Sequence, residues 1–191
     1  MKAWNHFKTI TIHRWYVRKG CFAVGLYWQG LTHDLSKYMP SEFMVGAKYW
    51  QGDRSPNNAE REAIGYSSAW LHHKGRNRHH YEYWLDYPVR EKEGDGVKIV
   101  PAKMPDRYIV EMFMDRVAAC KVYHGSSYKS SDPLEYYQKG NIDAFLHPYT
   151  KRMLEKLLKM NAQKGERYTR AYIRKYILKN ERNYKRKGGK A

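Results

Sequence analysis

Two apolar helical stripes constrain this chain most, because each carries one polar residue that must find a partner. Over residues 2–27, Ile10, His13, Val17, Gly20 and Val24 recur at helical spacing, so an imidazole lies in an otherwise apolar line. Pro105-Asp106 starts a second strong helix running to about Tyr123, with Tyr108, Met112, Asp115, Ala119 and Val122 on its stripe. An ionised carboxylate on a buried face is costly unless a cation or hydrogen-bond donors compensate it. For Asp115 the compensating group is either an Arg or Lys or a metal ion. For His13 it is either an ordinary hydrogen-bond partner or a metal ion.

Between the stripes lies Leu31-Thr32-His33-Asp34-Leu35-Ser36-Lys37. Read as helix ending near Met39-Pro40, this segment presents His33 and Asp34 about 100° apart, able to converge on one ion or a pair. Imidazole nitrogen with carboxylate oxygen suits zinc, iron, manganese, cobalt or nickel. A third helix is expected from Ser41 to about Trp50, a loop over 51–58, and a fourth helix from about Ala59 to Lys74, broken by Gly75. His72, His73, His79 and His80 then fall within nine residues, flanked by Trp70, Leu71, Tyr81, Tyr83 and Trp84. Imidazoles among aromatics are partly buried and need partners, and a metal satisfies several at once.

Residues 86–103 read as an irregular surface excursion, 133–139 as a short helix, and His147-Pro148 as the start of a helix through Met160. A last helix is expected over Glu166–Lys187. The chain is thus all-α, with residues 1–160 as a helical metal-binding domain and 161–191 as a basic helix or tail. The net charge of +17 is concentrated there: residues 151–191 hold 15 Lys/Arg against 3 Glu. That asymmetry points to contact with a polyanion, nucleic acid included, with Tyr168, Tyr172 and Tyr176 available for stacking. Hydrophobic residues at 42% argue for a folded protein, and no apolar run is long enough to span a membrane. Two cysteines, Cys21 and Cys120, both in expected helices, fit a reducing, cytoplasmic setting better than a disulfide framework.

The order His13, His33-Asp34, the 72–80 histidines, then Asp115 resembles the HD-domain superfamily of metal-dependent phosphohydrolases. More narrowly, His33-Asp34-Leu35-Ser36-Lys37, Ala69-Trp70-Leu71-His72-His73 and Asn77-x-His79-His80-x-Glu82-Tyr83-Trp84 resemble DUF5662, a bacterial and phage family, over residues from about 6 to 155. The resemblance implies an HD-like helical bundle in a bacterial or phage-infected cytoplasm. It implies His13, His33, Asp34 and Asp115 as ligands of one ion. It also implies His73, with His79 or His80, as ligands of a second ion bridged by Asp34; His72 is the weaker candidate. The histidines of this chain sit closer together than in two-metal members, so that mapping stays open. Lys37 resembles the positive group some HD enzymes place near the phosphate. Glu82, Glu111 or Asp115 could orient histidines.

Three functions follow. The first is hydrolysis of a nucleotide or nucleic-acid phosphate ester, using one or two divalent transition metals and Asp34, Lys37 and Glu82 as catalytic groups. The second is a di-iron oxygenase on the same fold. The third is a non-enzymatic nucleic-acid-binding or structural phage-type protein whose metal site only holds the fold.

Overall fold

Helices dominate because the apolar residues recur at helical spacing, and most breaks fall at glycine and proline. The computed structural model describes residues 1–88 and 99–179, and among these it contains eight α-helices and a single two-residue antiparallel hairpin. The expected all-α class holds. Two compact units are distinguished, Met1–Asn77 with Met114–Lys129, and Arg78–Phe113 with the chain from Ser130.

In the first unit, α1 (Lys2–Val24) buries His6, Ile10, His13, Val17, Gly20, Cys21 and Val24, the expected stripe extended by one turn at its start. It stops at Gly25, whose left-handed φ of 85° lets its N–H reach the carbonyls of Cys21 and Phe22. Next come α2 (Tyr27–Thr32), a 3-10 turn over Leu35–Tyr38, and α3 (Pro40–Tyr49), which opens on the proline as its first helical residue. His33 and Asp34 are therefore not on a helix, as expected, but form the turn between two short ones.

The expected helix over 59–74 is also two helices, α4 (Pro56–Ile64) and α5 (Ser68–Lys74). Gly65, at φ 85°, ends the first, and Ser67 caps the second by accepting from the Trp70 N–H. Buried Glu60 fixes this corner through the Ser67 and Ser68 hydroxyls, each 2.6 Å away. The later turns of α6 (Asp106–His124) add Met114, Val117, Ala118 and Cys120 to the same core. Gly20 of α1 lies where a Cβ would come within 2.7 Å of the Met114 sulfur, so the glycine lets these two helices approach.

The second unit begins with a 3-10 turn (Tyr81–Trp84) and the hairpin strands β1 (Leu85–Asp86) and β2 (Val100–Pro101). The first turns of α6 bury Ile109, Val110, Met112 and Phe113. After α7 (Asp132–Lys139), α8 (Pro148–Tyr172) buries Leu154, Leu157 and Leu158 completely. Gly165, at φ 73° and ψ 170°, divides α8 into two limbs where the sequence led us to expect separate helices. The second limb continues through a π-helical stretch (Ile173–Ile177) and buries Thr169, Ile173, Ile177 and Leu178. Positions 180–187 of the expected last helix lie outside the described residues.

Candidate metal centre

The first unit draws four of the expected site residues together. His13 comes from the buried stripe of α1, His33 and Asp34 from the turn after α2, and Asp115 from α6. Asp34 adopts a left-handed backbone, φ 52° and ψ 27°, a conformation that costs an L residue about 1 kcal/mol and is least costly for Asp or Asn. Arg14, next to His13 on α1, holds this turn by donating from Nε to the His33 carbonyl at 2.7 Å and from Nη2 to the Leu31 carbonyl at 3.0 Å.

The coordinating atoms converge. His13 Nε2 lies 2.9 Å from Asp115 Oδ1, 3.7 Å from Asp34 Oδ2 and 3.4 Å from His33 Nε2. His33 Nε2 lies 3.4 Å from Asp34 Oδ2 and 3.5 Å from Asp115 Oδ1. A tetrahedral ion with bonds of about 2.0–2.2 Å has ligand–ligand edges of about 3.3–3.6 Å. Two nitrogens and two oxygens at these separations therefore fit the shell of a single transition metal ion. His13, His33 and Asp34 are buried, and only the Asp115 side chain, 18% exposed, and Lys37, 28% exposed, reach solvent.

Electrostatics suit a cation. Burial alone would push the Asp34 carboxyl up, but His33, Lys37 and His73 hold it well below the usual carboxylate range. Burial and the nearby Lys37 ammonium lower the His13 pKa against the opposing pull of Asp115 and Asp34, so the ring stays neutral, as a ligand must. Lys37 Nζ sits 2.7 Å from Asp34 Oδ2. Burial would lower its pKa, yet Asp34 and Asp115 raise it, so it remains an ammonium.

A second layer surrounds His73, whose approach to Asp34 was expected while its carboxylate partner Glu42 was not. Its Nε2 is 3.2 Å from Asp34 Oδ1 and its Nδ1 is 2.8 Å from Glu42 Oε2. Buried Glu42 also takes the His72 Nδ1 at 2.5 Å. Burial opposes the charge on His73, but carboxylates at both nitrogens raise its pKa. Asn77 Nδ2 donates to the His73 carbonyl at 2.8 Å and to Ser36 Oγ at 2.9 Å, joining α5 to the turn after Asp34. Glu42 was hidden because Pro40-Ser41-Glu42 reads as an acid favoured at a helix start.

His79 and His80 belong to the second unit, their rings 4.1 Å apart. His79 is buried with Nδ1 3.2 Å from Oε1 of buried Glu111, the arrangement of a carboxylate orienting a histidine. Glu82 lies half-buried in the 3-10 turn of that unit.

These features define an all-helical protein with a buried two-histidine, two-aspartate cluster that could hold a metal ion. The chain belongs to DUF5662, a family of unknown function, whose profile matches residues 2–160. No curated protein and no solved structure matches it. The family match takes in every residue of the cluster and leaves the basic segment from 161 outside.

Proposed function

We propose that this protein is a metal-dependent phosphohydrolase of the HD type, acting on the phosphate ester of a nucleotide or nucleic acid. What supports this most is the convergence of His13 Nε2, His33 Nε2, Asp34 Oδ2 and Asp115 Oδ1 beside the Lys37 ammonium. His13, His33, Asp34 and Asp115 would hold the ion, and an ion that takes five or six ligands, such as manganese, iron, cobalt or nickel, would keep a position where it could lower the pKa of a water and polarise a phosphoryl oxygen. With neutral histidines, Asp34 and Asp115 carry one negative charge beyond what Lys37 balances. A divalent ion turns that deficit into a net positive charge, which favours an anionic substrate.

Lys37 has a separate task. Its partial exposure and fixed protonation let it neutralise phosphate oxygens while Asp34 anchors it. With no second ion bound, His73 would donate from Nδ1 to Glu42 and from Nε2 to Asp34 and so orient the Asp34 carboxylate; as a ligand of a second ion it would have to give up one of those protons. A second ion, with His73, His79 or His80 among its ligands, is carried from the sequence as part of the same proposal, with Glu82 as a further catalytic candidate.

The test is release of inorganic phosphate from nucleotides and short oligonucleotides, with manganese, iron, cobalt, nickel or zinc supplied singly. Wild type should turn over, His33→Ala should lose metal and activity together, and Lys37→Met should retain metal while losing about 10²-fold in turnover. Metal binding without phosphate release from any of these substrates contradicts the reading. One observation favours a non-catalytic role: Lys37 is already paired with Asp34 at 2.7 Å, so its charge is engaged within the cluster and an ion would serve to balance the remaining carboxylate. On that second reading, metal raises the melting temperature and no turnover is found. Selectivity for iron with oxygen consumption would instead indicate the oxygenase chemistry.

A further inference from the structure

The face of α1 opposite the metal ligands is exposed along its length and, among the described residues, is touched near Thr11, which hydrogen-bonds the Tyr38 hydroxyl at 2.9 Å, and at Phe22, which packs on Gly30 of α2. Trp4, Lys8, Thr11, Trp15, Arg18 and Phe22 are all exposed and follow one another by four, three, four, three and four residues, which places them in one line along the helix. Trp4 is 59% and Trp15 44% exposed, a large area of indole left in water. At 1.5 Å per residue the line is about 27 Å long. Beyond its end Tyr27 stands edge-on to Phe22 at 5.2 Å, and Trp28 is 74% exposed.

Charge accompanies the rings throughout. Residues 1–33 contain five Lys or Arg and no Asp or Glu. Lys8 Nζ lies 5.2 Å from the Trp4 ring centroid and Lys19 Nζ 4.5 Å from that of Trp15, so both indoles on the line have an ammonium beside them.

We propose that this face of α1 binds single-stranded nucleic acid, its indoles stacking on bases while Lys8, Arg18 and Lys19 neutralise phosphates. Alternating rings and cations are what sequence-tolerant strand binding requires. Charge decides against the two other occupants. A second copy of the chain laid on this face would bring like charges together with no acid to offset them. A bilayer needs an unbroken apolar stripe, and here Lys8, Thr11 and Arg18 lie on the midline of the face and would be forced into the acyl boundary. The inference does not depend on the metal reading, since none of these residues belongs to the cluster.

The test uses the full chain, stripped of metal by chelation so that hydrolysis plays no part, and a fluorescein-labelled oligo-dT of about twenty nucleotides. Binding should quench tryptophan fluorescence. The Trp4→Ala/Trp15→Ala double variant should bind at least tenfold more weakly with an unchanged salt slope. Lys8→Gln/Lys19→Gln should reduce the slope of log K against log salt by about 1.4, two single-strand phosphate contacts. Circular dichroism checks that each variant is folded, and Phe22→Ala serves as an independent ring deletion if the double variant is not. Affinity and slope equal to wild type in the folded variants overturn the proposal. So does binding to phosphatidylserine vesicles without binding to the oligonucleotide, or a concentration-dependent dimer abolished by the tryptophan substitutions.

Discussion

His6 is a buried imidazole outside the metal cluster, packed against Phe43 with ring centroids 5.4 Å apart. Burial, helped by the Lys37 charge, lowers its pKa to about 4, whereas in the unfolded chain it titrates near 6.5. The unfolded state therefore binds the extra proton between those values, and stability falls as pH drops from 6.5 to about 4, then levels off. The loss amounts to at most about 3.5 kcal/mol, one pKa unit being worth roughly 1.4 kcal/mol. Denaturant melts of wild type and His6→Leu across this window measure it: the wild type should lose stability relative to the variant, and parallel curves would contradict the assignment. Glu42 belongs to the same scale. Its carboxylate holds both His72 and His73, so Glu42→Leu leaves buried His73 and half-buried His72 without that acceptor. We expect about 2 kcal/mol of destabilisation and a 10- to 100-fold loss of metal affinity, read by thermal melts and metal titration.

At the scale of elements, the close crossing of α1 and α3 depends on Gly46, where an added Cβ would overlap the His6 ring. Gly46→Ala should cost about 1–3 kcal/mol through overpacking, seen as a lower Tm; an unchanged Tm would show that the ring moves aside freely. Helical periodicity made the bounds of α1, α3 and α6 readable to within a few residues. The expected stripe of α1 is its buried face, but α6 buries six consecutive residues, 109–114, and of its expected stripe only Met112 is buried, with Tyr108, Asp115, Ala119 and Val122 half-buried, because it is packed on more than one side. His13 stood out as the polar residue on a buried stripe, and Asp115 as one on a stripe that is in fact only half-buried. The turn at His33-Asp34 did not, because the left-handed backbone of Asp34 depends on Arg14 clamping the carbonyls of Leu31 and His33, a contact of tertiary origin. The break between α4 and α5 was more accessible: Gly65 followed by Ser67 is a stop and a cap, both written in the sequence.

For the whole molecule, the basic C-terminal segment is more integrated than its charge suggests. Thr169, Ile173, Ile177 and Leu178 are buried, so removing residues from 166 onward would expose the core of the second unit. Removing 180–191 alone takes away five Lys/Arg and one Glu. If those residues contact nucleic acid, the truncated chain should bind oligo-dT with a shallower salt dependence, by about 0.7 log units per lost contact, and with its Tm unchanged. An unchanged slope would assign polyanion binding elsewhere, with the α1 face the next candidate. The central claim concerns the cluster of His13, His33, Asp34 and Asp115, and metal content tests it most directly. Protein purified without chelator or nickel affinity resin should carry at least one divalent transition metal per chain, and His33→Ala should carry correspondingly less while remaining folded. No bound metal in the wild type, or the same stoichiometry in folded His33→Ala, would contradict it.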